Sequence, residues 1–329
     1  MDLRALLPLD AHGMVSRADA LAAGLDDADL RALRREQALV PLRRGIYVEA
    51  AVWQEADPFR AQPVLRIRAA EQVLRSDHVL SHDSAAIVLG LGVPDAQRAL
   101  VHITRPKVHG DAVRAGIKHH LAPYADAQVV VVDGFRVLDR ARTALDMARE
   151  HGLVAGVACC DAALRAGTTP DDLARAREAM FCWPQSRVMD AALDLADPGA
   201  ESWLESEGRV FVTGLAIGRP QTQFGLTDGQ RTVWCDLRVG RHVFEMDGWL
   251  KYLPDHVAGD PKAVLREEKR RQDFITGFKL GVSRITREDL RRPEQTRRRL
   301  LREYADTCGR FGTDITDLDE FRPQKPRRH

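Results

Sequence analysis

The segment CDLRVGRHVFEMDGWLKY puts three carboxylates where one hairpin could gather them: Asp236 before a turn at Gly240, Glu245 and Asp247 after it. Residues two apart on a strand share a face, so Glu245 and Asp247 project together while Phe244 and Met246 turn to the core. The hairpin carries Asp236 alongside them. Like charges on one face repel unless a cation lies between them. A hard divalent ion, Mg²⁺ or Mn²⁺, suits such an oxygen cage and keeps waters for chemistry. Glu205, on a helix just upstream, offers a fourth carboxylate, and Glu201 on the same helix face competes for that role. Lys251, four residues past Asp247, adds a positive charge. The metal ligands would be Asp236, Glu245, Asp247 and Glu205. The chemistry these groups could do is metal-assisted phosphodiester hydrolysis, with metal and lysine stabilising the charge that develops on phosphorus. The same acids could instead be solvated hairpin residues paired with Arg209, Arg238 and Arg241.

A second constellation is basic. Arg31, Arg34 and Arg35 lie in DADLRALRREQ, a helix started by Asp26 and Asp27 with Leu30 and Leu33 on its buried side. Arg43 and Arg44 sit in the turn between the strands Leu39–Leu42 and Gly45–Val48. An earlier helix, capped by Ser16 and stopped at Gly24, completes the order helix, turn, helix, two-stranded wing. That is the plan of a winged helix-turn-helix, in which the second helix enters the DNA major groove. Arginine suits both phosphates and guanine edges because its fork donates two parallel hydrogen bonds.

The elements that must position these groups suggest an α/β (α+β) protein in three parts. Residues 1–55 are expected to form the winged helix, 56–196 an α+β middle domain, and 197–311 an α/β domain ordered helix, three-strand meander, helix, strand, helix. The boundary falls at DLADPGA, where Asp197-Pro198-Gly199 breaks helix and strand. Residues 312–329 are expected to be a basic tail without fixed structure. In the middle part, His78, His82, His102, His109, His119 and His120 show no ligand spacing, and core or surface roles are expected for them.

Composition narrows the class. A chain of 329 residues with 44% hydrophobic and 29% charged residues can bury a sizeable core. From Pro261 on, 19 Lys/Arg stand against 12 Asp/Glu, although the whole chain carries only +1. A basic end on an otherwise acidic chain suits a polyanion such as DNA. No apolar run approaches the roughly 18 residues of a membrane span, and the first residues lack a secretory pattern. Five cysteines without a CxxC pair argue against a disulfide framework and against a structural zinc site, and fit a cytoplasmic location.

Two resemblances follow from these residues. Glu201 to Leu290 resembles the restriction-endonuclease-like (PD-(D/E)XK) fold, in the branch similar to very-short-patch-repair endonucleases. Helical Glu205, then Asp236, Glu245, Asp247, Gly248 and Lys251 match that branch's motif, and Gln223 stands where it often has glutamine. The usual E-x-K reads E-x-D here, so the lysine role would pass to Lys251. The first 180 residues resemble the AbiEi family of type IV antitoxins, through GMVSRADALAAG…LRRGIYV, LSHDSAAIVLGL, VDGFRVLDRARTALDMAR and CCDAALRAG. That family implies DNA binding, transcriptional autoregulation and a possible cognate toxin. One expectation is a metal-dependent endonuclease directed by its winged helix, in toxin–antitoxin or phage defence. The other is an antitoxin-like regulator with an inactive nuclease-like domain.

Overall fold

The computed structural model describes residues 3–105, 112–248 and 261–323, without the side chains of residue 4 and of 261–265. The chain divides into two compact units, residues 1–159 with 170–189, and residues 160–169 with 190–329. Both are mixed α/β. Among the described residues no helix is long and apolar enough to cross a membrane.

The first unit opens with α1 (Leu3–Leu6), β1 (Met14–Ser16), α2 (Arg17–Ala22), α3 (Asp27–Arg35), β2 (Leu39–Arg43) and β3 (Ile46–Glu49). Local chemistry sets the helix starts. The Ser16 hydroxyl accepts from the Asp19 amide. The Asp26 carboxylate accepts from Ala28 and Asp29 while Asp29 accepts from the Asp26 amide, a reciprocal cap. The wing has one strand more than the sequence suggests. β1 pairs antiparallel with β3, giving the order β1-β3-β2. Three residues are too few to show a two-residue period. Leu30, Leu33, Val15 and Leu39 close one core under this sheet. Met14, Ile46 and Val48 close another with Leu65 and Ala69 of α5 (Ala61–Glu71), which follows α4 (Ala50–Glu55).

A six-stranded sheet follows. Its strands are β4 (Val79–Leu80), β5 (Val101–Arg105), β6 (Ala112–Arg114), β7 (Ile117–Leu121), β8 (Val129–Val132) and β9 (Phe135–Leu138). They lie in the order β6-β7-β5-β4-β9-β8. The helix α6 (His82–Val88) packs on β5, and α7 (Arg140–His151) packs on α6. Helices α8 (Leu153–Arg165), α9 (Pro170–Ala179) and α10 (Ser186–Asp194) follow; the last is not evident in the sequence.

The second unit is built on α11 (Trp203–Thr213), β10 (Gln221–Thr227), β11 (Thr232–Val239), β12 (His242–Asp247), α12 (Pro261–Gly277) and β13 (Gly281–Thr286), then α13 (Arg287–Leu290) and α14 (Pro293–Phe311). The order is helix, antiparallel meander, helix, and a last strand parallel to β12. Helix α12 makes that crossover, since parallel strands cannot be joined by a tight turn. Both sheet faces are covered. Leu237, Val239, Phe244 and Met246 pack with Leu204 and Val212 of α11 and Leu300 of α14. Phe224, Val233, Cys235 and Val243 pack with Ile275 of α12.

The Asp197-Pro198-Gly199 stretch is held by hydrogen bonds on both sides. The Asp197 amide donates to Asp161 Oδ1 at 2.7 Å, and Thr222 donates to the Asp197 carboxylate at 3.1 Å. The expected tail is also packed as far as residue 323. Residues 316–321 form a 3₁₀ turn, Leu318 is buried, Phe321 meets Phe278 edge to face, and Asp317 pairs with Arg241. Apolar residues spaced among acids make too weak a pattern to reveal this.

Asp161 also accepts from Ser206 Oγ at 2.7 Å and from Arg209 Nη2 at 2.5 Å. Asp161 is fully buried, and Arg209 nearly so. Breaking a buried pair strands the remaining charge, at a cost of about 3–5 kcal/mol. Asp161→Ala should lower unfolding stability by that order in a denaturant titration. It should also make the 197–199 segment more open to limited proteolysis than it is in the parent.

Candidate functional site

The basic constellation lies in the first unit. Helix α3 and the turn before β3 border an open surface cavity of about 740 Å³ lined by Arg17, Arg31, Arg34, Arg44, Asp27 and Tyr47 among others. Leu30 and Leu33 anchor the buried side of α3, which leaves Arg31, Arg34 and Arg35 exposed. Arg31 and Arg34 line the cavity as expected; Arg35 is exposed outside that lining. Arg44 stands in the turn, but Arg43 ends β2 and its guanidinium donates to the Ala115 carbonyl. Half-burial lowers its pKa. Arg43 is therefore tied to the neighbouring sheet and does not line the cavity.

Arg17 joins this group without any signal in the sequence. It opens α2 and forms a two-pronged pair with Asp27 at 2.6–2.7 Å, clamping α2 to α3. Both side chains are half exposed, so the pair contributes little stability. Only the folded turn brings Arg17 beside Arg44.

The acidic constellation lies in the second unit. The β11–β12 ladder runs from Val239↔His242 through Leu237↔Phe244, closed by a two-residue turn with Gly240 at φ +53°. It stops there, one residue short of Asp236. Val233 and Cys235 belong to the α12 core, yet Leu237 and Val239 belong to the α11 core. Alternate residues of a regular strand share a face, so the alternation slips by one at Asp236. On β10 the facing residue, Gln223, has φ +47°, a conformation uncommon outside glycine. Where the backbone ladder fails, Asp236 substitutes for it: its Oδ2 accepts from the Met246 amide at 2.7 Å.

Glu245 lies across from Asp236 and is half-buried. Its two oxygens accept from Arg271 of α12 at 2.9 and 2.8 Å. The arginines suggested by the sequence go elsewhere: Arg209 to Asp161, Arg238 to Gln221, and Arg241 to Asp317. Arg271 lies 26 residues beyond Glu245, and nothing local links the two. Asp247 ends β12 opposite Thr286 of β13. Lys251 lies outside the described residues.

Glu201 precedes α11, contrary to its expected place on that helix's face. Ser202 is the cap, and Glu205 stands at the third helical position. The Glu205 carboxylate accepts from the Glu201 amide at 2.7 Å and from Ser202 Oγ at 2.9 Å. Gly208 lets α11 rest directly on β12, because a Cβ there would meet Met246 Sδ at 2.2 Å. Burial raises the Glu205 pKa first, and the negative charge of Asp236 raises it further. These two acids therefore feel each other across the α11–β12 contact.

The donor set suits a hard divalent cation in kind, being all oxygen, and the Glu205 and Asp236 charges act on each other. The arrangement is looser than a closed cage. Among the described residues, the group whose ligand atoms all lie within 4.8 Å of one another is not these acids but His82, His102 and His120. Separate core or surface roles were the expectation for those histidines. They sit on three different elements, so no spacing in the chain marks them.

A carboxyl whose folded pKa is raised has stability that is present below the usual glutamate range and lost as pH rises through the folded value. Glu205→Gln keeps one acceptor oxygen, for the Glu201 amide, lets the Ser202 hydroxyl turn to accept from the new NH2, and removes the charge. It should therefore be more stable than the parent near pH 7, with the difference shrinking at acid pH. Thermal melts at several pH values measure this.

Residues 4–50 match the family model described as a transcriptional regulator, AbiEi antitoxin. No curated protein matches the chain. The N-terminal region is thus AbiEi-like over its winged helix.

Proposed function

We propose that the chain binds duplex DNA through its winged helix and acts as a regulator of the antitoxin type. The observation that carries this reading is the arginine-lined cavity between α3 and the wing turn, within residues matched by a regulator family. Four arginines around one cavity, with Asp27 paired to one of them, make a surface for phosphate. A cognate toxin is the second partner that the family suggests.

Binding of a fluorescent mixed-sequence duplex at several salt concentrations tests it. Arg31→Ala with Arg34→Ala should weaken binding at every salt and lower the salt slope by roughly one for each phosphate no longer neutralised. Arg43→Ala should leave that slope unchanged, because Arg43 does not line the cavity. Equal binding by the double variant and the parent would overturn the reading.

A second reading concerns the other unit, and what supports it is the proximity of Glu205 to Asp236 where β11 and β12 part. In this reading Asp236, Glu245, Asp247 and Glu205 hold Mg²⁺ or Mn²⁺, and the protein is an endonuclease delivered by its winged helix. The ion would supply an activated water and charge stabilisation at phosphorus. Arg271, already on both oxygens of Glu245, would keep that carboxylate oriented. Lys251 would act on the phosphate.

Plasmid digestion with Mg²⁺, Mn²⁺ or chelator decides. Asp236→Asn should lower cleavage by about a hundredfold or more. Lys251→Ala should lower cleavage and leave metal affinity intact. A parent protein that binds DNA and cleaves none of it under any metal would leave the regulator reading alone.

A further inference from the structure

In the first unit, three buried histidines converge from separate elements. His82 opens α6, His102 lies on β5 and His120 on β7. β5 and β7 pair in parallel, with His102 opposite Lys118 and His120 opposite Thr104. The two histidines therefore share a face, one diagonal step apart. Helix α6 is docked onto that face. The Ser81 amide donates to the His102 carbonyl at 3.1 Å, and the His102 amide donates to Ser84 Oγ at 2.8 Å. His82 is thereby held over the strand pair, its ring stacked on His120 with centroids 3.7 Å apart. His120 Nε2 lies 3.0 Å from His102 Nδ1.

We propose that His82, His102 and His120 form a transition-metal site of Zn²⁺ type inside the first unit. One nitrogen from each ring lies within 4.8 Å of the other two. Tetrahedral Zn²⁺ with bonds of 2.0–2.1 Å holds its ligand nitrogens about 3.3 Å apart, so binding requires the rings to close by up to about 1.5 Å and one of the stacked His82 and His120 rings to turn its lone pair toward the ion. All three rings are nearly inaccessible, at 3–4% exposure. A neutral imidazole keeps a lone pair for a metal. His120 Nε2 and His102 Nδ1 share one N–H···N bond and His82 Nδ1 meets Ser81 Oγ at 3.0 Å, contacts that a bound cation would replace.

The surroundings fit a dication. His102 Nε2 lies 3.9 Å from the Asp83 carboxylate and His82 Nε2 lies 3.9 Å from that of Asp146. Carboxylates behind ligating histidines orient the rings and raise their basicity. Asp146 also takes Arg142 and Arg149, and Asp83 takes His151, so both acids are held in place. The pair Lys118–Glu150 lies nearby and cancels its own charge. His82 has φ +47°. A non-glycine residue in that region is strained, and such strain persists where the surrounding structure needs the side chain aimed. Imidazole nitrogens select Zn²⁺ over Mg²⁺, which separates this site from the acids of the other unit.

The test uses the full chain, stripped with chelator and desalted, then given Zn²⁺ alone or Co²⁺ alone. One equivalent should stay bound through a second desalting. Melting of the first unit should rise by about 5 °C with Zn²⁺ and be unmoved by excess Mg²⁺. Co²⁺ should give visible bands of a tetrahedral, nitrogen-ligated ion without near-ultraviolet thiolate bands. His102→Gln and His120→Gln should lose the retained metal, whereas Asp236→Asn should keep it. The proposal is overturned if the unmodified chain retains neither metal, if thiolate bands appear, or if either histidine variant still holds a full equivalent. Because the unmodified chain alone can give the overturning result, a variant that fails to fold does not protect the idea.

Discussion

The second unit hangs on one buried carboxylate. Asp161 accepts from Arg209, from Ser206 and from the Asp197 amide, so the end of α8, the middle of α11 and the segment leading into α11 share one charge. Such a charge is tolerated out of water only when every partner is in place. The constraint runs outward from there. With α11 fixed, Gly208 lies against Met246, and Glu205 comes to rest near Asp236. The position of the upstream acid is thus a consequence of a salt bridge that has no part in chemistry.

Near the acids, irregularity is localised and compensated. A continuous β11–β12 ladder would bury Asp236 or aim it away from Glu245. The slip in alternation, matched by the left-handed Gln223 on β10, parts the strands at that residue. The side chain then takes over a hydrogen bond that the backbone gave up. Arg271 answers Glu245 in the same way. An arginine in this place serves either a structural pair or a poised site, which is why cleavage assays on Asp236 carry more weight than the geometry around any one carboxylate.

The first unit applies the same rule to a different chemistry. Its central helices bury Arg142 and Asp146 together, and the Trp183 ring stacks on Arg142 at 4.6 Å. Around that pair the histidines lie buried, with His82 facing Asp146 and His102 facing Asp83. The arginine cavity near the N-terminus works by the opposite principle: its charges stay in water, where they cost little and can meet a polyanion.

Short-range chemistry was legible in the sequence. Ser16 and Asp26 as caps, the Gly240 turn, the meander from Gln221 to Asp247, and the pairing of Phe244 with Met246 on one face all follow from neighbours within a few residues. So did the placement of Arg31 and Arg34 on an exposed helix face. The tertiary structure decided what depends on distant partners: Arg271 on Glu245, Arg43 on Ala115, Asp161 on Asp197, and three histidines from α6, β5 and β7 on one another. It also decided the strands β1, β6, β7 and β9, whose three to five residues are too short to display a period, and the packed turn at 316–321. The reason is physical. Caps, turns and amphipathic faces are set by interactions along the chain, whereas ion pairs and ligand clusters are set by which elements the hydrophobic cores press together.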